Sequence, residues 1–435
     1  MFLLIGGFMV FVFSGRFTRA LVCFCFLGVA VAGPSARAAG TEPLPLGEAL
    51  KIGEKTSPRL AAQNAALAAA TELVPRASEL PDPKLRIGVD NLPVNGADRF
   101  QYDSDFMTMR KIGVMQDFPN REKRKLRGER AALERDVEAA NLGAQRAGLR
   151  REIALAWLEL YFAQQARAPL VELVGELQLQ LDTVAAAIAA GRQNTADALA
   201  LRGAGVAAQD RVIEQDRTIE RARYALAAWL RDEASRPLAN PPDTSVFDHP
   251  PTALLANLHE HPEQKIYAER EALARTDAAL AANSKKSDWS LEVAYGQRGP
   301  AFSNMISVMV SIDLPWEAEK RQDRDLAAKR LLADQAQAQT EEARRMHEAE
   351  LRGVYADWQT AGVRTERFEK LLLPLARERV AAALAVYRGG RGELGAVLDA
   401  RRAETETRLG FVQTQLERAR AWAKLNFLLP HGEQP

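Results

Sequence analysis

Residues 305–316, MISVMVSIDLPW, differ from everything around them. From Ile306 to Leu314 every second residue is large and apolar: Ile306, Val308, Val310, Ile312 and Leu314. Ser307, Met309, Ser311 and Asp313 stand between them. An apolar residue at every second position puts all of them on one face of a strand. The other long stretches of the chain are rich in Ala and Arg and read as helix. Three more segments share the strand period. Trp289, Leu291, Val293 and Tyr295 alternate with Ser290, Glu292 and Ala294, and Leu85, Ile87 and Val89 alternate with Arg86, Gly88 and Asp90. The fourth segment is MRKIGVMQDFPN, residues 109–120.

These strands belong to a duplication. QDFP (116–119) matches IDLP (312–315). At nearly the same offset REIALAWLEL (151–160) fits AELRGVYADW (349–358), GRQNTADAL (191–199) fits GRGELGAVL (390–398), and SPRLAAQNAALA (57–68) fits HPEQKIYAEREA (261–272). A period of roughly 200 residues is too long for a solenoid repeat, so the chain is two copies of one half. Residues 39–231 form the first half, with strands at about 84–92 and 108–118 and a long helix at about 120–189. Residues 261–430 form the second, with strands at about 288–297 and 305–314 and a long helix at about 316–386. Shorter helices at 57–80, 195–233, 261–284 and 392–429 accompany them. Residues 232–260 are Pro-rich at the start, break every period, and read as a linker or belt; 431–435 are a tail. The long helices carry narrow apolar stripes, Ile153, Ala156, Leu160 and Ala163 in one and Leu351, Val354, Trp358 and Ala361 in the other. Stripes of that width suit close helix-on-helix packing rather than a thick core.

The N-terminus reads as an export signal over residues 1–38. Arg16 and Arg19 precede an apolar run, Ala20–Gly33, that ends in Ala36-Arg37-Ala38. Cys23 and Cys25 are the only cysteines, and both fall inside it, so the exported chain has no thiol or disulfide chemistry. Across the whole sequence 58 Lys and Arg face 57 Asp and Glu, a balance that argues against nucleic acid as a partner. No later stretch has the roughly 18 consecutive apolar residues of a transmembrane helix.

A strand needs about 9–11 residues to cross a bilayer. Four strands of that length, apolar on one face and polar on the other (Ser307, Ser311, Asp313, Glu292, Arg86, Asp90), suit a transmembrane barrel with a wet lumen. The lipid-facing set is Ile306, Val308, Val310, Ile312, Trp289, Leu291 and Val293. Four strands alone would leave two bare edges in lipid, so a barrel requires further copies. An ordinary soluble sheet with one buried face shows the same period, and a soluble periplasmic coiled-coil scaffold is the alternative to a membrane channel.

The duplicated plan of helix, strand, strand and long helix behind an export signal resembles the TolC-like outer-membrane factors of tripartite efflux pumps, over nearly all of the exported chain. GRQNTADAL resembles the family's G-x-x-x-x-T-D motif, with Gly191 and Asp197 in place and Ala196 where the family has Thr. YRGGRGELGAVLDARRAE (387–404) resembles its Y-x-x-G…D-V-L-D-A motif. Tyr387, Gly390, Val397, Leu398, Asp399 and Ala400 match, Ala396 replaces the first Asp, and Gly392, beside Arg391, stands where the family has Arg. DFPNREKRKLRGERA (117–131) has a turn of the kind found in the heavy-metal branch.

The resemblance implies a mainly α protein with a small transmembrane β part. It implies a homotrimer whose 12-stranded β-barrel continues into a long α-helical barrel. The partners implied are outer-membrane lipid, a periplasmic membrane-fusion adaptor and an inner-membrane efflux pump, most often of RND type. The cargo class implied is metal ions or small toxic compounds, with protein secretion as the alternative duct. It places a periplasmic gate at Asp399, Tyr387, Asp197 and Arg391, and adaptor-contact tips at Gly191, Gly390 and Gly392. No nucleophile–base arrangement, P-loop or carboxylate pair is visible, so neither an enzyme nor a cofactor is expected. LHEHPE (258–263) together with His249 has metal-binding residue types, but His261-Pro262 falls opposite Ser57-Pro58 in the duplication and reads as a helix start. No metal site is assigned.

Overall fold

The computed structural model describes residues 42–189, 195–247, 253 and 256–428. The N-terminal segment read as an export signal, Gly191, His249 and the C-terminal tail lie outside the described residues.

The first half runs α1 (Leu46–Thr56), α2 (Pro58–Ser78), β1 (Lys84–Asp90), β2 (Met109–Phe118), α3 (Arg121–Ala189) and α4 (Thr195–Leu230). The second runs α5 (Pro262–Ala282), β3 (Trp289–Gln297), β4 (Met305–Ile312), α6 (Gln322–Arg367), α7 (Leu373–Arg388) and α8 (Leu394–Asn426). At 1.5 Å per residue, α3 is about 100 Å long. It packs against α2 towards one end, α4 towards the other, and α5 and α8 from the second half. The α6–α7 column is likewise flanked by α5 and then α8.

Helix starts follow local chemistry. The Ser57 hydroxyl accepts from the Leu60 N–H, and Pro58 occupies the first turn, where no N–H is needed. The Asn120 side chain accepts from the Glu122 N–H at the start of α3, while the Asp288 carboxylate accepts from the Asn120 N–H (2.7 Å) and from Lys123 Nζ (3.1 Å). Asp288 precedes β3, so this clamp ties the first strand-to-helix junction to the second half.

The second long helix differs from the single segment expected at 316–386. After Pro315 the chain turns, with Glu317 at φ 56°, and helix resumes only at Gln322. Residues Phe368–Leu372 then form a π-helical turn before α7. Pro374 explains it: with no N–H to give, it removes one helical bond and crowds the preceding turn, and the extra residue of a π turn absorbs both. Helix α1 was not read from the sequence at all. It packs on α3 and α4.

The largest core sits where the halves cross. Ile153, Ala156, Leu160 and Ala163 are all buried there, with Trp157 and Leu158 fully so, against Leu44, Leu50, Leu226, Leu230, Ala419 and Trp422. In the second-half stripe Leu351 and Ala361 are buried, whereas Val354 and Trp358 are partly covered. The Pro-rich segment is pinned to this girth. The Leu44 N–H donates to Pro237 O (2.8 Å) and the Ala239 N–H to Leu44 O (3.1 Å). Trp157 donates its indole N–H to Leu44 O (3.2 Å), Trp358 to Thr244 O (3.0 Å) and Trp422 to Val246 O (2.6 Å). Three indoles, one on each of three helices, satisfy carbonyls of irregular backbone that crosses the shaft.

Candidate functional site

The four strands form one antiparallel sheet in the order β1-β2-β3-β4. Register places Leu85 opposite Val114, Ile87 opposite Ile112, Val114 opposite Val293, Val293 opposite Val308, Leu291 opposite Val310 and Trp289 opposite Ile312. Every apolar set named from the sequence therefore lies on one face. That face is the exposed one: Ile306 is 75% exposed and Val308 67%. Ser290, Glu292 and Ala294 on the opposite face of β3 are buried. This is the reverse of a soluble sheet, where the apolar face is covered.

The strands pack on one another and no helix makes a substantial contact with them, so the inner positions of β3 are covered by the neighbouring strands, with Arg86 and Lys111 lying on Glu292. Small residues allow it. Gly113 stands opposite Ala294, and a Cβ built on it would lie 2.6 Å from the Ala294 Cβ. On the concave side of a curved sheet the Cα–Cβ bonds converge, so the tightest position takes glycine. Aromatic residues cluster near both ends of the strands. Phe118 and Trp289 stack with centroids 4.2 Å apart at the helical end, and Tyr295, Phe100, Tyr102 and Phe106 are exposed towards the loops. An apolar band between aromatic girdles is the surface a barrel turns to lipid.

Charges on the concave face pair across strands. The Glu292 carboxylate lies 3.1 Å from Arg86 and 3.3 Å from Lys111, and Lys111 lies 3.7 Å from Asp90. Lys84 and Asp117 pair at 2.8 Å. Lys111 was not among the polar-face residues read from the sequence, because the period of β2 is interrupted there by Gly113 and Met115.

At the far end of the shaft α3, α4, α7 and α8 converge. Leu173, Leu177 and Val184 of α3, Leu201 and Ala208 of α4 and Leu394 of α8 form a buried cluster; Ala198, Tyr387 and Leu398 pack on it. The structure thus brings Tyr387 to the same cluster as the sequence neighbours of Asp197 and Asp399. Asp399 and Arg391 are themselves exposed. The turn between α7 and α8 is a Schellman cap. The Gly390 N–H donates to Tyr387 O (3.0 Å), the Arg391 N–H donates to Val386 O (3.2 Å), and Gly390 has φ +71°. Gly392 sits tight against Val386. Arg401 pairs with Glu176 and Arg408 with Glu172, each linking α8 to α3. The Arg408 hydrogen bond holds the Glu172 carboxyl below its ordinary pKa.

The histidines separate. His259 is exposed, while His261 caps the start of α5 and is buried with its Nδ1 2.7 Å from Nε2 of His347 on α6. Nothing in the sequence linked His347 to His261. The short N···N distance is a hydrogen bond that requires one ring nitrogen to be unprotonated. Burial pushes the His347 imidazole below its ordinary pKa of 6.5; Glu263 and Glu350 act against that shift and Arg151 of α3 acts with it. The folded chain thus favours the neutral ring, while the unfolded chain takes up a proton below pH 6.5. The contribution of His347 is complete above that pH and falls away as pH drops below it. The melting temperature should fall between about pH 7.5 and about pH 5, and His347→Leu should reduce that fall; parallel curves for the two proteins would refute the assignment.

No protein-family model and no curated protein matches the chain. Solved structures do. The outer-membrane channel OprN is 17% identical, with 90% of this chain and 91% of that one covered and a TM-score of 0.73. The CmeC outer membrane channel of Campylobacter jejuni is 13% identical over 89% and 87% of the two chains, with a TM-score of 0.75. CusC, solved to follow folding and transmembrane channel formation, is 14% identical over 89% and 92%, with a TM-score of 0.74. With its apolar-out, polar-in sheet set on a duplicated helical shaft, and about nine-tenths of its length shared with these channels, the chain has the fold of the TolC-like outer-membrane channels.

Proposed function

We propose that the chain is the outer-membrane exit duct of a tripartite efflux system, a passive conduit and not an enzyme. The observation that carries this reading is the inverted sheet. Apolar side chains are exposed along one face of all four strands, the positions of β3 on the other face, Ser290, Glu292 and Ala294, are buried, and β1 and β4 lie at open edges. Unpaired edge groups in hydrocarbon cost several kcal/mol each, so the sheet closes with sheets of other copies. Three copies would supply a 12-stranded barrel. The shaft supports the same assembly. Leu199, Val206 and Ile213 of α4 are exposed at seven-residue spacing, and Val363, Leu371 and Leu375 are exposed along the other column; such apolar stripes suit a neighbouring copy. The shaft then reaches through the periplasm towards a membrane-fusion adaptor and an inner-membrane pump, which supplies the energy. The Pro119–Arg124 turn does not discriminate a metal cargo, since Asn120 and Lys123 serve the Asp288 clamp.

In this reading Tyr387 and Asp197 hold the tip closed and Asp399 rings the constriction. Hydrogen bonds there are worth about 1 kcal/mol each, and three copies shift an open–closed balance by several kcal/mol. Tyr387→Phe with Asp197→Ala is expected to raise single-channel conductance in planar bilayers. Asp399→Ala is expected to weaken block by divalent and trivalent cations. Unaltered conductance and block in these variants would place the gate elsewhere, and a chain that never reaches the outer membrane would refute the duct itself.

A further inference from the structure

The inner face of the strands carries three cationic and three anionic side chains. Lys84, Arg86 and Lys111 stand against Asp90, Asp117 and Glu292. β4 adds none over Met305–Ile312, where its inward positions are Met305, Ser307, Met309 and Ser311; Asp313 lies just past its end, where its N–H donates to Asp288 O beside the Lys123–Asp288 pair. Glu292 is the hub. From β3 it meets Arg86 of β1 and Lys111 of β2, and it is the most deeply covered of the six, 7% exposed. The reach from β1 to β3 crosses β2 at Gly113, the register partner of Arg86, where there is no side chain to pass over. The charges therefore lie flat along the wall and cancel in pairs.

Resting on the duct reading above, we infer that Glu292 determines the charge selectivity of the barrel by holding its wall neutral, and that the cargo class is small solutes of either sign, zwitterions included, rather than cations gathered by an anionic wall. A wall set in low-dielectric lipid focuses the field of any uncompensated charge into the lumen. Without Glu292, Arg86 and Lys111 keep one compensating carboxylate between them, Asp90. Each copy then contributes one net positive charge.

The test reads the potential inside the barrel independently of the periplasmic tip. The described residues contain no cysteine, so Ser307→Cys, opposite Ala294 on the inner face, places one reporter thiol in a background with Cys23 and Cys25 replaced by alanine. Full-length protein in outer membranes is treated with cationic and anionic methanethiosulfonate reagents of matched size, and the ratio of the two rates is measured. In the Ser307→Cys protein the ratio is expected to match that of a free thiol. Adding Glu292→Gln should shift it about fivefold towards the anionic reagent, and Arg86→Gln should shift it similarly towards the cationic one. Glu292→Gln combined with Lys111→Gln should restore it. A ratio unmoved by Glu292→Gln, or moved the same way by both single changes, overturns the assignment. If Glu292→Gln does not assemble, Lys111→Gln decides, with a shift to the cationic reagent expected and no shift overturning it. A Ser307→Cys thiol closed to both charged reagents while Val308→Cys is open to them would instead overturn the duct reading.

Discussion

Val310→Arg is expected to keep the protein from assembling in the outer membrane, whereas Ser311→Arg, one residue on, assembles nearly as wild type. The two positions differ only in the face they occupy. Val310 is exposed on the apolar face opposite Leu291, and Ser311 stands on the concave face opposite Ser290. An arginine turned to hydrocarbon near the midplane costs roughly 2–4 kcal/mol, and in a trimer that cost is incurred three times. On the inner face the same side chain keeps its water. Trimer recovered from outer-membrane fractions, set against total protein, measures the contrast. Equal yields for the two variants would show that the alternation does not separate lipid from lumen. The inverted exposure of the sheet would then need a protein partner rather than a membrane to explain it.

The second large effect is expected far from the membrane. Trp157 is fully buried at the crossing of the halves, stacks near Tyr161 with centroids 5.7 Å apart, and donates to Leu44 O. Trp157→Ala removes the largest fully buried side chain of the core and one of the two donors to that carbonyl, the Ala239 N–H being the other. Losses of about 3–5 kcal/mol are usual for such truncations. Trp157→Phe keeps most of the apolar volume and loses one hydrogen bond, about 1 kcal/mol, because the Ala239 N–H still serves the carbonyl. Thermal melting of detergent-solubilised protein should rank wild type above Phe above Ala. Limited proteolysis should cut the Ala variant first in the segment around Leu238, which loses its anchor on Leu44. If the Ala variant melts with the wild type, the crossing of α3 with the Pro-rich segment contributes nothing to stability.

The two effects rest on information of different kinds. The strand period at 305–314 is local. Each residue's face follows from its parity, so Ile306, Val308, Val310 and Ile312 could be assigned to one surface from the letters alone, and pairing in the sheet preserved that assignment. The duplication is equally local, since matched strings need no coordinates. The stripes of the long helices also follow from spacing alone, and Ile153, Leu160 and Leu351 are buried as spacing requires. The fold was legible for that reason.

The sites were legible only in part. Tyr387, Asp197 and Asp399 came from a motif. That Tyr387 packs on one apolar cluster with Ala198 and Leu398, the neighbours of the two aspartates, needed the long helices to return to the same end of the shaft. Lys111 on Glu292, His347 beside His261, and Trp157 on Leu44 were not legible at all. Their partners lie 86 to 181 residues away in the chain for the pairs His261–His347, Leu44–Trp157 and Lys111–Glu292, and no periodicity spans such a gap. The apolar face was read as the lipid-facing one through the export signal and the lack of another core, because parity alone says that two faces exist and not which of them is covered. The close approach of Gly113 and Ala294 across β2 and β3 likewise appeared only once the strands were in register. Side-chain parity is a property of one strand, and bending is a property of neighbouring strands in register. Letters alone gave the duplicated helix–strand plan and the parity of each strand's apolar face, whereas the pairing of Glu292 with Arg86 and Lys111 appeared only in the folded sheet, because it depends on the register between strands.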